Sequence, residues 1–223
     1  MKFKVTTSNE AINESTQSSY MSKSGIYPVS IQFASLDVTA SGAESVNFNF
    51  LYNGEAQTVY GPFVTNRDGE VNSIGAKIIN KLAVIAGMTE GDDFEIEEET
   101  HAVGKDKKDQ EFAVITNFTD VECQVRLQEE YSINPKTKEI QKRMVIKNFF
   151  AADGASAAEI VNETPAGADL EREQKYATNV TYKDDLDPDS VADFLAAKRA
   201  GTSSKTPTPK TKTAAKPSGS LFK

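Results

Sequence analysis

The chain has 223 residues, 38% of them apolar, and a formal net charge of −8 at pH 7. This length and composition suit one medium-sized domain with appendages and exclude a wholly disordered chain. We expect no membrane span, because no run of about 18 apolar residues occurs, and no secretory signal, because the first residues lack an apolar stretch.

Charge divides the chain into three regions. Residues 1–150 carry a net charge of −7, residues 151–194 carry −8, and residues 195–223 carry +7. Such asymmetry is typical of interaction segments attached to a folded body. The predicted divisions are an N-terminal extension (1–24), a folded core (25–152), an acidic linker (153–186), a short amphipathic helix (187–200) and a disordered basic tail (201–223).

The first three predicted strands follow one another closely. Residues 25–38 alternate apolar and polar side chains until the phase slips, which predicts a bent strand with a bulge near Ala34–Ser35. In the second strand, VNFNFLY (46–52), we expect Phe48 and Phe50 to face a core while the intervening asparagines face outward. An Asn-Gly pair then predicts a hairpin turn into a short third strand, QTVYGPFV.

A helix is predicted next, with Ser73 as its N-cap and Gly87 at its end. Its apolar residues recur at helical spacing: Ile74, Ile78, Leu82 and Ile85. The acidic run EGDDFEIEEE that follows is interpreted as a solvated loop or strand face, with a divalent-ion site as the alternative.

Two further strands are predicted to form a hairpin around the turn NPKTK (134–138). If Ile133 lies opposite Lys138, apolar residues meet on one face of the hairpin, and amide and basic residues meet on the other. Cys123 falls on the apolar face, which predicts a buried, unreactive thiol. The other face is predicted to be basic.

The element order is three strands, a helix and two strands. This order predicts a mainly β protein, a five-stranded OB-fold barrel with one helix between strands 3 and 4, followed by a C-terminal helix and a disordered tail. An unpaired edge of such a barrel could support a homo-oligomer. In the C-terminal helix, Asp187 suits the N-cap and Pro188 the first turn. It is predicted either to pack on its own domain or to bind a partner protein through Val191, Phe194 and Leu195.

The stretches SGIYPVSIQFASL, VNFNFLYNGEAQTVYGPFV and GAKIINKLAVIAGM resemble phage-encoded single-stranded DNA-binding proteins of replication and recombination, over residues 25–150. The resemblance implies an OB core, single-stranded DNA as the ligand, and the host cytoplasm as the location. It departs at the C-terminal end, because the acidic stretch is internal and the chain closes on KPSGSLFK. Recruitment of replication or recombination proteins is therefore expected through the acidic linker and DDLDPDSVADF.

Single-strand binding needs cations that follow phosphates and rings on which bases stack. The candidate rings are Tyr52, Tyr60, Phe63, Tyr131 and Phe149. The candidate cations are Lys105, Lys107, Lys108, Arg126, Lys136, Lys138, Lys142, Arg143 and Lys147, of which Arg126, Arg143 and Lys147 lie on the predicted basic face.

Two other function classes are alternatives to DNA binding. A structural or adaptor protein, for example from a virion, also fits a β-rich body with a partner helix. An enzyme is disfavoured: His101, interpreted as a surface or loop histidine, has no nucleophile signature beside it, and no P-loop spacing occurs. One cysteine and one histidine cannot build a zinc site. We expect no catalytic residue, metal or cofactor.

Overall fold

The structure is a computed structural model that describes residues 20–104 and 106–200. Eight strands lie in this part of the chain: β1 (Gly25–Val38), β2 (Glu44–Tyr52), β3 (Glu55–Val59), β4 (Ile96–Val103), β5 (Lys108–Ile115), β6 (Glu122–Ile133), β7 (Ile140–Ala151) and β8 (Val180–Tyr182). The α-helices described are α1 (Ser73–Ile85), α2 (Ala157–Val161), α3 (Ala168–Gln174) and α4 (Pro188–Arg199). The protein is therefore mainly β with a few helices.

The long strand β1 organises the sheet. Along one edge it pairs with β2, and along the other it pairs first with β6, through Gly25–Ser30, and then with β5, through Ser35–Leu36. The strand order β3-β2-β1-β5-β4 results, with β7 and β8 joined through β6. The bulge that lets β1 change phase lies between Ile31 and Phe33, slightly before the predicted position.

The sheet is open, and the predicted closed five-stranded barrel is not confirmed. Among the described residues β3 pairs only with β2, and β7 pairs only with β6. The sheet also contains the hairpin β4–β5, which sequence patterning did not predict as two strands. Part of the acidic run lies in β4, as a strand with mostly exposed side chains.

Aromatic side chains of β2 form the centre of the core, as predicted. Phe48 and Phe50 are fully buried and stack on each other, with ring centroids 5.4 Å apart. The turn after them is a two-residue loop in which Asn53 and Gly54 both have positive φ, as an Asn-Gly hairpin requires. The signals for the second strand and its turn are local, and the structure agrees with them. The third strand, predicted as QTVYGPFV, instead begins at Glu55 and ends at Val59.

Helix α1 closes the core with Ile78 and Leu82, but its cap differs from the prediction. Asn72 is the N-cap: its side-chain oxygen accepts from the backbone N–H groups of Ile74 and Gly75, at 3.2 and 3.3 Å. Ser73 is instead the first helical residue. An asparagine satisfies the free N–H groups of a first turn as well as a serine does.

The chain forms two compact units. Of the described residues, one unit contains those from 20 to 129 together with 143–180, and the other contains 130–142 together with 181–200. In the second unit, the rings of Tyr131 and Tyr182 stack with centroids 5.8 Å apart. The Lys183 ammonium lies 2.8 Å from the carboxylate of Glu130, and the Lys183 N–H donates to the Tyr131 carbonyl.

Two of the predicted divisions differ from the structure. Residues 153–186, expected to be a linker, contain α2, α3 and β8. Glu159 joins the first two of these, since its carboxylate accepts from the N–H groups of Ser156, Gly167 and Asp169. The end of the expected N-terminal extension also packs into the fold, with Met21 fully buried. The basic tail at 201–223 lies outside the described residues.

At the turn of the hairpin β6–β7, the register differs from the prediction by two residues. The Asn134 N–H donates to the Glu139 carbonyl, and the Gln141 side chain donates to Ser132 on the opposite strand. A shift of two residues keeps the side chains next to the turn on their predicted faces. Within the described ranges no helix has the length and apolarity needed to cross a bilayer.

Candidate nucleic-acid interface

One face of the sheet carries the core, and the other carries amides, hydroxyls and a few rings. Because side chains alternate along a strand, Asn47 and Asn49 of β2 point away from the side that holds Phe48 and Phe50. The register places Ser35 opposite Asn47 and Phe33 opposite Asn49. The outer face of β1 and β2 is therefore continuous and mostly polar.

A groove of about 440 Å³ runs along this outer face. Its lining comes from β1, β2, β5 and the end of β3, and includes Ser35, Asn47, Asn49, Thr58, Tyr60 and Phe112. Amide and hydroxyl groups can bond to base edges, and aromatic rings can stack on bases. We name this surface the sheet groove.

Tyr60 is the most exposed ring of the sheet groove, at 77%. The residue after it fixes its position: the Gly61 N–H donates to the Asn47 side-chain oxygen at 3.2 Å. A Cβ at Gly61 would lie only 1.6 Å from the Val46 carbonyl oxygen, so only glycine lets this segment approach β2 so closely. Tyr60 therefore lies between the end of β3 at Val59 and the anchored Gly61.

Asn49 has an unusual environment within the groove. Asn49 is only 6% exposed, and its side-chain oxygen has no hydrogen-bond partner among the described residues. Leaving a buried polar atom unpaired costs about 1–3 kcal/mol. Such costs are uncommon in folded proteins and occur at functional sites.

Two rings of the groove lining, Phe33 and Phe112, belong to an aromatic cluster that also includes His101. The His101 ring lies on Phe33, with centroids 4.0 Å apart and planes 9° apart, and its Nε2 lies 2.7 Å from the Glu99 carboxylate. Phe112 packs against Phe33 at 5.1 Å. His101 belongs to strand β4 and is half-buried, whereas the sequence analysis expected it on the surface or in a loop.

The charges near the groove have both signs. Val103 and Gly104 line one end, and the register places Lys108 opposite Val103, so the exposed Lys107 and Lys108 belong to the same hairpin end. Asp37 and Glu111 are the carboxylate residues of the lining. Lys105, also predicted as a contact, lies outside the described residues.

The basic face predicted on the hairpin β6–β7 is partly covered. The side chain of Arg126 is only 12% exposed. Its guanidinium donates to the carboxylate of Glu173 and, at 3.1 Å, to the Tyr176 carbonyl, and burial lowers its pKa. Arg126 is thus not an exposed phosphate contact as it stands. Lys147 is half-buried and Arg143 is exposed.

Two of the predicted stacking rings are core residues, which corrects their assignment. Phe149 is fully buried against Phe48 and Phe50. Tyr131 is 7% exposed and stacks on Tyr182. Neither ring has a face on which a base could stack.

The remaining predicted rings differ in exposure. Tyr52 is half-buried and packs edge-on against Tyr27, at 5.3 Å. Phe63 is 45% exposed and forms an isolated bridge with Ser45. The predicted cations Lys136, Lys138 and Lys142 are exposed and belong to the second unit.

Helix α4 has the predicted N-terminus, with Asp187 accepting from the Ser190 N–H at 2.7 Å and Pro188 in the first turn. Of the predicted partner contacts, Val191 is 3% exposed and so is buried within its own chain. Phe194 and Leu195 are half-buried. The alternative in which this helix packs on its own domain agrees with these values.

Sequence reasoning did not include most of the groove lining among the candidate contacts. The alternation in VNFNFLY placed the asparagines of β2 outward, but Ser35 and Thr58 join them only through strand pairing. Phe112 was expected on a strand, but its pairing with β4 in a hairpin was not predicted. The signal that could have identified these lining residues is the strand register, which pairs Ser35 with Asn47 and Thr58 with Asn49.

No protein-family model matches the chain, and no curated protein matches it either. In the described ranges no three His, Cys, Asp or Glu side chains form a group that could hold a metal ion.

Proposed function

We propose that the protein is a non-enzymatic single-stranded DNA-binding protein that acts in phage replication or recombination, and that the strand lies in the sheet groove. The observation that carries this proposal is the groove itself. It combines an exposed ring, Tyr60, and the exposed hydroxyl of Thr58 with the less exposed amides of Asn47 and Asn49 on one face of the sheet. Rings and amides on a strand surface are the contacts that single-strand binders use.

The fold supports the same proposal through its connections. A bent first strand pairs with β2 along one edge and with β6 along the other, and a helix follows β3. We propose that this is an OB-type arrangement opened by the inserted hairpin β4–β5. Ligands of OB folds bind across the outer face of the strands, which is the face that carries the groove here.

The groove predicts a binding mode in which stacking contributes more than charge. Tyr60 would stack on one base, at about 1–3 kcal/mol for such a contact. Lys107 and Lys108 belong to the hairpin end whose Val103 and Gly104 line the groove. Two phosphate contacts would give a salt dependence of about −1.4 in log K against log salt.

The test is a titration of the protein with fluorescent oligo-dT at 50 and 200 mM salt. The proposal predicts micromolar or tighter binding at the lower salt, weakened about sevenfold at the higher salt. No binding at 50 mM salt would refute it. A far steeper loss with salt would place the site on the clustered cations of residues 136–147 instead.

A structural or adaptor role is the second candidate, because a separate apolar groove is present. It lies beyond the end of α1, has a volume of about 700 Å³, and is lined by Phe94, Ile160 and Val161 among others. These three side chains are 39%, 38% and 68% exposed. Exposed apolar surfaces of this kind suit a protein partner. Absence of oligonucleotide binding would favour this role.

A further inference from the structure

A second groove, of about 520 Å³, lies beside α3 and is rich in cations. Lys81 of α1, Arg126 of β6 and Arg172 of α3 line it, together with Asn148 and Asn179. It shares no residue with the sheet groove. The lining also contains two carboxylates, Asp169 and Glu173, so the three cations exceed the acids by one charge in a chain whose net charge is −8.

Arg126 forms the inner wall of this second groove. Its guanidinium donates to Glu173 and to the Tyr176 carbonyl, while its Nε is buried without a partner among the described residues. A guanidinium presents a planar fork of donors that matches a carboxylate or a phosphate. Both terminal nitrogens have an acceptor, and the Nε donor has none among the described residues.

Lys81 has a neutral partner rather than a charged one. Its ammonium lies 3.0 Å from the side-chain oxygen of Asn148, which is its hydrogen-bond partner among the described residues. An amide oxygen orients an ammonium but does not neutralise it. Two of the lining cations are thus paired with carboxylates, Arg126 with Glu173 and Arg172 with Asp169. Lys81 has no carboxylate partner among the described residues.

We propose that this groove binds a phosphate oxyanion through Arg126 and Lys81, and that the Glu173 carboxylate occupies the oxyanion position in the free chain. Phosphate displaces Glu173 because it accepts bonds from both cations, while the carboxylate bonds only Arg126. The site goes beyond the proposed DNA-binding function, since its ligand needs no base.

The experiment uses inorganic phosphate at constant ionic strength, with chloride as the reference, and follows binding by calorimetry and by the melting temperature. Glu173→Gln removes the competing charge, so its dissociation constant for phosphate should be about tenfold lower than in the wild type. The matched control is Glu171→Gln, an exposed glutamate on the same helix, which should bind phosphate as the wild type does.

Lys81→Ala provides a second, independent variant, because Lys81 is exposed and its loss does not threaten folding. Phosphate affinity should fall about tenfold, while Lys77→Ala, an exposed lysine on the same helix, should leave it unchanged. If phosphate stabilises the wild type and Glu173→Gln no more than chloride does, or if Lys81→Ala and Lys77→Ala behave alike, the proposal is wrong.

The phosphodiester dTpdT separates the two sources of the oxyanion. A response to dTpdT that Lys81→Ala abolishes and Tyr60→Ala does not would assign the site to a nucleic-acid backbone. A response to inorganic phosphate alone would assign it to a free phosphate group. Because inorganic phosphate cannot stack on Tyr60, failure of the sheet groove leaves this result unaffected.

Discussion

Glu159 shows what one buried carboxylate does in this fold. It is 6% exposed and accepts from the N–H groups of Ser156, Asp169 and Gly167, at 2.8, 3.0 and 3.2 Å. These bonds favour the charged form, with the Ser156 N–H contributing most, and they lower the pKa of Glu159 from 4.5 to about 2. The charge therefore ties α2 to the start of α3.

A pH prediction follows for Glu159→Gln. A depressed pKa in the folded state stabilises the protein above pH 4.5, and this stabilisation is lost as the pH falls from 4.5 through about 2. The variant should unfold at lower urea than the wild type at pH 7, and the two midpoints should converge near pH 2. Glu171→Gln is the control, and a pH-independent difference for Glu159→Gln would contradict the assignment.

Cys123 gives a second prediction at the residue scale. It is 2% exposed, and burial raises the pKa of its thiol to about 12. Since the thiolate is the reactive form, dithionitrobenzoate at pH 8 should not label the native protein. In urea it should label one equivalent, because the chain has one cysteine. Rapid stoichiometric labelling without denaturant would show that the thiol is accessible.

The behaviour of single residues could be predicted where the cause is local. Cys123 follows an alternating strand pattern, so its burial was predictable. Arg126 follows the same pattern on the opposite face, yet its carboxylate partner lies 47 residues further along the chain. No local pattern indicates which acid of a charged segment will reach which base.

At the scale of elements, two neighbouring residues have different roles at the start of α1. The Asn72 side-chain oxygen accepts hydrogen bonds from the backbone N–H groups of Ile74 and Gly75, while Ser73 is the first residue of the helix. Asn72→Ala should therefore lower the free energy of unfolding by about 1 kcal/mol. Ser73→Ala should change it much less. Urea denaturation measures both, and equal losses would contradict the assignment of the cap.

Elements with strong local signals were predictable, and elements without them were not. The alternation of β2 and the Asn-Gly turn specify a hairpin over residues 46–59. Strand β4 lacks that alternation, because glutamates occupy successive positions at 97–99. Its pairing with β5 stabilises a segment whose own side chains indicate a solvated loop equally well.

For the whole molecule, tertiary pairing decides where charge is exposed. The sequence places a basic cluster on the hairpin β6–β7, yet Arg126 there is covered by Glu173. The surface with outward rings and amides is instead assembled from β1, β2, β3 and β5. Composition indicates how many charges the chain carries, and strand pairing determines which side chains remain available to a ligand.

The central claim, that a single strand binds in the sheet groove, is tested most directly by a matched pair of tyrosine variants. Tyr60 lines the groove and is 77% exposed, and Tyr20 is 53% exposed and is not part of its lining. In fluorescence anisotropy with oligo-dT, Tyr60→Ala should weaken binding about tenfold through the loss of one stacked base, and Tyr20→Ala should bind as the wild type does. Wild-type affinity in Tyr60→Ala, or an equal loss in both variants, would contradict the claim.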